Sequence, residues 1–501
     1  MLLGGVVAAG AVSPAGALDA PIARTQHGRI RGARSGDVLS FKGVRYGAAP
    51  RRFEAPQQPR PWRGVRAALE FGPACPQRGV NELQSEDCLF LNIWTPELRG
   101  RRPVMVYIHG GAYSTGSGSS TLTDGARLAA FGDVVVVTLN HRINAFGYCY
   151  LAKHGFPDSG NAGQLDLILA LDWVRENIRN FGGDPDCVTV FGQSGGGAKI
   201  ATLMAMHAAR GLFHRAATMS GQQVTVSGPL NATRRTNAYL AALGLNEADP
   251  NGIQSIPASR LVDALEPTDP VLGYGSVYFG PVLDERHLLR HPFYPDAAPQ
   301  SLAIPMMIGN THDETRGFVG ADRSLFSLTW DEVPARLASA LRVDILPDHV
   351  VREYRRLYPD YSPTDVYFAA STAARSWRGA LIELEERARA AAPAYAYQLD
   401  WRAPAEGGIF GAPHTLDIPL VFGNLEASSY IGERSDDGEA MSRTMMETFV
   451  RFARTGSPGW AAYTLPQRAT MVFDTHSRIE NDPRRAEREL FARVPYVQPG
   501  T

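Results

Sequence analysis

Residues 187–197, CVTVFGQSGGG, set a single serine, Ser194, among four glycines, Gly192, Gly195, Gly196 and Gly197. The segment before it is short, apolar and β-branched. The segment after it, GGAKIATLMAMHAA (196–209), has helical spacing. A strand that turns into a helix across one serine needs glycine on both sides, because a Cβ there would strike the backbone of the turn. The serine must take strained dihedrals, and the free N–H groups of the new helix face whatever negative charge forms beside it. G-x-S-x-G arises by chance often enough that the strand before it and the helix after it carry the argument.

That unit belongs to a longer alternation. Residues 103–110 (PVMVYIHG) and 133–142 (DVVVVTLNHR) read as strands buried on both faces, and 163–181 reads as a helix ending at Gly182-Gly183. Later strands are expected at 303–310 and 394–401. Alternating strands and helices imply right-handed crossovers and a mostly parallel sheet covered by helices. The stretches from about 229 to 292 and from 330 to 392 read as mostly helical insertions roofing that sheet. No repeat, low-complexity tract or Pro/Ser linker divides the chain, so residues 18–501 are expected to form one domain.

The formal charge is −1 with arginines scattered, so no basic patch recruits nucleic acid or anionic lipid. Residues 1–17 form an apolar run ending in Ala15-Gly16-Ala17, the outline of a secretory signal peptide, and a secreted or periplasmic location is the expectation. No later stretch has the about 18 uninterrupted apolar residues needed to span a bilayer. Of the four cysteines, Cys75 and Cys88 flank a short polar segment that could close as a disulfide loop in an oxidising compartment. Cys149 and Cys187 are expected to be buried free thiols. No Cys/His cluster has zinc spacing, so no metal site is expected.

A serine hydroxyl becomes a nucleophile only beside a base, and the base needs an orienter. His414 lies in GIFGAPHTLDIPLVFG, a Gly- and Pro-bearing loop able to hold an imidazole over a sheet edge. Glu314, in THDETRGF, follows the 303–310 strand at its carboxyl end, where open α/β sheets place their sites; Asp313 next to it is the alternative acid. Residues 107–118, YIHGGAYSTGSG, follow another strand with a glycine turn whose backbone N–H groups can receive an oxyanion.

Together these segments resemble the type B carboxylesterase family, which includes the cholinesterases. The resemblance runs from about 28 to 483 through SEDCLFLNIWTP (85–96), FGGDPDCVTVFGQSGGG (181–197), GPVLDE (280–285), IGNTHDE (308–314) and GAPHTLDIPLVFGN (411–424). It implies an α/β-hydrolase fold, with Ser194 as nucleophile, Glu314 as acid, His414 as base, and Gly111, Ala112 and Gly195 as the oxyanion hole. It also implies a Cys75–Cys88 disulfide, a buried ion pair between Glu86 and Arg142, and Ser220 close to the acid–base network. The implied reaction is hydrolysis of a small-molecule carboxylic ester through an acyl-enzyme, with no metal or organic cofactor. The same triad could serve amides, thioesters or bulky polyesters, and the fold also occurs in adhesion proteins that lack the nucleophile. Two departures stand out: Gly195 and Gln193 replace the family's usual Ala and Glu around the serine. The short, aromatic-free 75–88 loop and neutral Gln193 make choline esters poor candidates.

Overall fold

The computed structural model describes residues 20–501 apart from 249, 342 and 499, so the expected signal peptide at 1–17 lies outside the described residues. In chain order its strands are β1 (Ile22–Arg24), β2 (Arg29–Arg31), β3 (Ala33–Ser35), β4 (Val38–Arg45), β5 (Val65–Ala67), β6 (Phe90–Thr95) and β7 (Arg102–Ile108). They continue as β8 (Val135–Leu139), β9 (Gly183–Gln193), β10 (Arg215–Met219), β11 (Met306–Thr311), β12 (Ala394–Leu399), β13 (Ala469–Phe473) and β14 (Arg478–Asn481). Eleven of them form one sheet in the order β14-β13-β12-β11-β10-β9-β7-β8-β6-β4-β3, and β1, β2 and β5 form a small second sheet. The run from β13 to β8 is parallel throughout, while both outer margins are antiparallel.

The expected central strands and helices are all present, with ends shifted by a few residues. Their continuous apolar runs have a physical reason. Val104, Val106, Val188 and Val190 pack on one face with the Ala162–Asn177 and Gly195–Ala205 helices. Met105, Tyr107 and Phe191 point to the other face and pack against Phe422 and Phe449, from the Asp417–Phe422 and Asp436–Thr455 helices. Burial on both faces removes the polar alternation that a half-exposed strand needs. The second roof insertion is helical as expected (Val333–Ala340, Pro347–Leu357, Pro363–Thr372, Arg378–Arg389). The first is helical over Pro229–Ala242, the 3-10 turn Pro250–Ser255 and the short Ala258–Asp263; beyond those it runs mostly as irregular chain rich in Pro and Gly, which break helices.

Strand register brings the site together. Ile108 pairs with Gly192, Gln193 with Met219, and Met219 with Gly309, so β7, β9, β10 and β11 end side by side. The loops that follow them carry Ala112, Ser194, Ser220 and Glu314.

Candidate active site

Ser194 joins β9 to the Gly195–Ala205 helix with φ 55° and ψ −126°, a region that a side chain with a Cβ rarely adopts. Its N–H donates to the Met219 carbonyl at 2.8 Å, and its carbonyl accepts the Ala198 N–H at 3.1 Å, so neighbouring strand and new helix both hold the strain. Glycine is required where the sequence implied it. A Cβ on Gly192 or Gly196 would lie 2.7 or 2.0 Å from the Ile108 carbonyl oxygen.

Glu314 is fully buried at the start of the Glu314–Val319 helix. Its Oε1 accepts Asn310 Nδ2 at 3.1 Å and the Thr311 N–H at 3.0 Å, which turns Oε2 to His414 Nδ1 at 2.5 Å. Asp313 faces elsewhere. It accepts the Ala412 N–H at 2.9 Å, and its own N–H donates to the Ala412 carbonyl at 2.9 Å. Burial opposes its ionisation, but His312, the Ala412 N–H and Arg316 together draw the carboxyl down to about 2. Asp313 therefore anchors the loop that carries His414, while Glu314 meets the imidazole.

Gln193 Nε2 lies 3.1 Å from His414 Nε2 and 3.3 Å from its Nδ1. A donor in the ring plane at both distances would strike Cε1, so the amide rests against a face of the ring. Phe318 stacks on the same imidazole at 4.0 Å between centroids, which assigns it the opposite face. The ring is clamped between amide and phenyl with Nδ1 bound to Glu314. No hydrogen bond joins Ser194 to His414 among the described residues.

The glycine turn after β7 is braced from below. Ala112 has φ 53°, again unusual for a residue with a Cβ. Lys199, fully buried in the helix behind Ser194, donates from Nζ to the carbonyls of Ala112 at 2.8 Å and His109 at 3.0 Å. No carboxylate pairs with it among the described residues, and burial draws its pKa down to about 7. His109 stacks on His141 at 4.7 Å; burial, then Lys199, push both imidazoles down, His109 to about 3, so this ring pair is neutral. A Cβ on Gly195 would sit 2.0 Å from the Ala112 carbonyl oxygen. Gly195 thus makes room for the loop that Lys199 draws in.

Ser194 opens into a cleft of about 130 Å³ that Ala112, Gly195, Ser220, Phe318 and Arg375 help to line. Ser220 Oγ accepts the Thr311 N–H at 3.3 Å, the same N–H that serves Glu314, so it does adjoin the acid–base network. A roomier groove of about 580 Å³ runs between the 76–86 segment and Ala258–Asp263, but no histidine lines it.

Two expectations around the 75–88 loop differ from the structure. Arg142 pairs with Asp166, at 2.7 Å from Nη2 and 2.9 Å from Nε, and not with Glu86, which instead pairs with Arg52 at 2.6 Å. Asp166, on the Ala162–Asn177 helix, is fully buried beside Arg142, whereas Glu86 is partly exposed. Cys75 and Cys88 are free thiols and not a disulfide. The hydrogen bond with Cys75, then burial, raises the Cys88 thiol well above its ordinary value. Cys149 is a buried thiol as expected, but Cys187 is only half-buried, its Sγ donating to the Ala453 carbonyl at 3.4 Å.

Lys199, Phe318, Arg375 and Asn310 were not singled out from sequence. Lys199 left a usable signal: it is one of only three lysines and stands inside the apolar run GGAKIATLMA.

A parallel sheet with a strained serine on a strand–helix turn, a glycine loop beside it and a carboxylate-bound histidine over it defines an α/β-hydrolase. The family model described as "Carboxylesterase family" matches residues 19–493. The para-nitrobenzyl esterase of Bacillus subtilis (strain 168) is 36% identical over 489 residues, covering 93% of this chain and 98% of that protein. A crystal structure of a Geobacillus stearothermophilus carboxylesterase superposes with TM-score 0.84 at 37% identity, covering 94% of this chain and 99% of that one. An esterase from Clostridium hathewayi that can hydrolyze aliphatic aromatic polyesters superposes with TM-score 0.79 at 30% identity, covering 95% and 99%. The chain belongs to the carboxylesterase family. It is a serine hydrolase that cleaves carboxylic esters.

Proposed function

We propose that Ser194, His414 and Glu314 carry out the ester hydrolysis, with the N–H groups of Gly111, Ala112 and Gly195 receiving the oxyanion. His414 Nε2 takes the Ser194 proton as Oγ attacks the ester carbonyl, and the tetrahedral oxygen is held by the loop and helix N–H groups. The imidazolium then protonates the departing alcohol, leaving an acyl group on Ser194. Water repeats the sequence and frees the acid. Glu314 fixes the tautomer, since its bond to Nδ1 leaves Nε2 as the acceptor, and it stabilises the cation that forms. The observation that carries this reading is the 2.5 Å Glu314–His414 contact beside a serine held in strained geometry.

The cleft of about 130 Å³ has room for the acyl or alcohol part of a small ester. A p-nitrobenzyl ester is the natural first probe, by similarity to the Bacillus enzyme. Ser194→Ala should remove turnover of that ester by about 1,000-fold or more while the thermal transition stays in place. Turnover near the wild-type level in pure variant protein overturns the assignment.

Export belongs to the same proposal, supported by the apolar run at 1–17. In an exported molecule the adjoining Cys75 and Cys88 are the pair that an oxidising compartment would link. N-terminal sequencing of the mature protein and non-reducing peptide maps test the two points. An intact Met1 or leader speaks against export, and free Cys75 and Cys88 in exported protein speak against the link. Among the described residues no helix is long and apolar enough to cross a membrane.

A further inference from the structure

We propose that the side chain of Gln498 is the wall that sets how long an acyl chain the cleft beside Ser194 accepts. This rests on the reading of Ser194 as nucleophile. Phe318, stacked on His414 at 4.0 Å, lines the cleft, whereas His414 itself does not. In the proposed reaction the alcohol departs with the proton of His414, so it leaves on the histidine's side. The cleft, lined directly by Ser194 and the oxyanion residues Ala112 and Gly195, is then the place of the acyl part.

Gln498 is brought to the cleft from 276 positions beyond Gln222, whose backbone it meets there. Only 7% of it is exposed. Both ends of its amide are engaged: Nε2 donates to the Gln222 carbonyl at 3.4 Å, and Oε1 accepts the Val224 N–H at 2.9 Å. The side chain is thus fixed along the wall, and swinging aside for a longer acyl chain would give up both bonds. Its neighbours in sequence are tied to the same wall. The Gly500 carbonyl accepts Arg235 Nη1 at 3.1 Å, and that buried guanidinium also pairs with Asp269 at 2.8 Å. Asp269 in turn accepts the N–H of Tyr278 at 3.0 Å. Tyr278 lines the cleft, and its ring lies so close to Gly500 that a Cβ there would come within 2.2 Å of it. The chain that Gln498 bonds to has anchors of its own. The Gln223 N–H donates to Glu383 Oε1 at 2.7 Å, and the Val224 carbonyl accepts the Phe293 N–H at 3.1 Å. Shortening Gln498 therefore lengthens the cleft while the rest of its wall stays in place.

Two pairs of esters test this. p-Nitrophenyl butyrate against p-nitrophenyl octanoate varies the acyl part, and butyl acetate against octyl acetate varies the alcohol. Wild-type protein should favour the butyrate over the octanoate about tenfold or more in kcat/KM. Gln498→Ala should bring that ratio close to one and leave the ratio of the two acetates where it was. Gln498→Met, which keeps the length but not the amide, should retain the wild-type ratio. Gln498→Asn, one methylene shorter, should fall between, and it carries the test if the alanine variant does not fold. The inference is overturned by a wild-type protein that takes octanoate as well as butyrate, or by an acyl ratio that shortening Gln498 leaves unmoved. A methionine variant that shifts as far as the alanine variant, or a shift confined to the acetates, overturns it too. Turnover of the butyrate that persists in Ser194→Ala would instead indict the nucleophile, so the two failures are distinguishable.

Discussion

Lys199 Nζ donates to the carbonyl oxygen of Ala112 at 2.8 Å, tying the helix behind Ser194 to the loop in front of it. A buried ammonium is costly to fold around, and here its donors go to two carbonyls of the loop in front of Ser194. The bond restrains Ala112 in its left-handed conformation and so fixes the direction of the Ala112 N–H. Lys199→Met should lower kcat by about 100-fold with little change in KM, the pattern of lost transition-state stabilisation. Affinity for a trifluoromethyl ketone, which presents the tetrahedral oxyanion, should fall in parallel. An unchanged kcat would detach Lys199 from the loop.

Gly195 and Lys199 should be coupled. Gly195→Ala forces a methyl to within 2.0 Å of the Ala112 oxygen that Lys199 holds, so the single variant should lose both activity and stability. Adding Lys199→Ser lets the loop move outward, and the double variant should recover part of what Gly195→Ala lost. Strictly additive losses across the cycle would show the two positions to be independent.

Glu314 and Asp313 adjoin in sequence but serve different partners. Glu314→Gln should cut kcat by about 10,000-fold, since an amide that donates to Nδ1 selects the wrong tautomer. Asp313→Asn should instead loosen the Ala412 anchor, with a lower melting temperature and a milder loss of rate. Reversed outcomes would move the acid by one position.

Asp417 gives a prediction in pH. Burial, then the charge of Glu314, raise its carboxyl to about 7, and Tyr397 Oη donates to its Oδ2 at 3.1 Å. In the unfolded chain it titrates near the ordinary value of about 3.9. Between about pH 4 and 7 the folded protein therefore keeps a proton that the unfolded chain has lost, so this group's contribution to stability is lost as pH rises. Asp417→Asn keeps the acceptor for Tyr397 and removes the titration. Its melting temperature relative to wild type should climb from pH 4 to pH 7; a flat difference would contradict the shift.

How much of this was legible depended on whether the signal was local. Ser194 was readable because the turn needs glycine within two residues on either side, and the β9 and helix patterns are contiguous with it. His414 and Glu314 were readable from loop and strand-end context aided by family resemblance; context alone left Asp313 open, and the fold sets Glu314, not Asp313, against His414. The Arg142 partner was missed because Asp166, inside a helix, carries no turn or motif signal, while Glu86 sits in a recognisable segment. Lys199 and Arg375 meet carbonyls and rings brought near by packing, which no spacing rule encodes.

In the proposed reaction the ester's acyl group passes through Ser194 Oγ. The most direct measurement of this is intact-mass analysis and peptide mapping after reaction with a p-nitrophenyl alkylphosphonate, which traps the nucleophile as a stable adduct. One phosphonyl group per chain is expected, on the peptide containing Ser194, with activity lost in proportion. An adduct on another residue that tracks the loss of activity, or full inactivation with Ser194 unmodified, would contradict it.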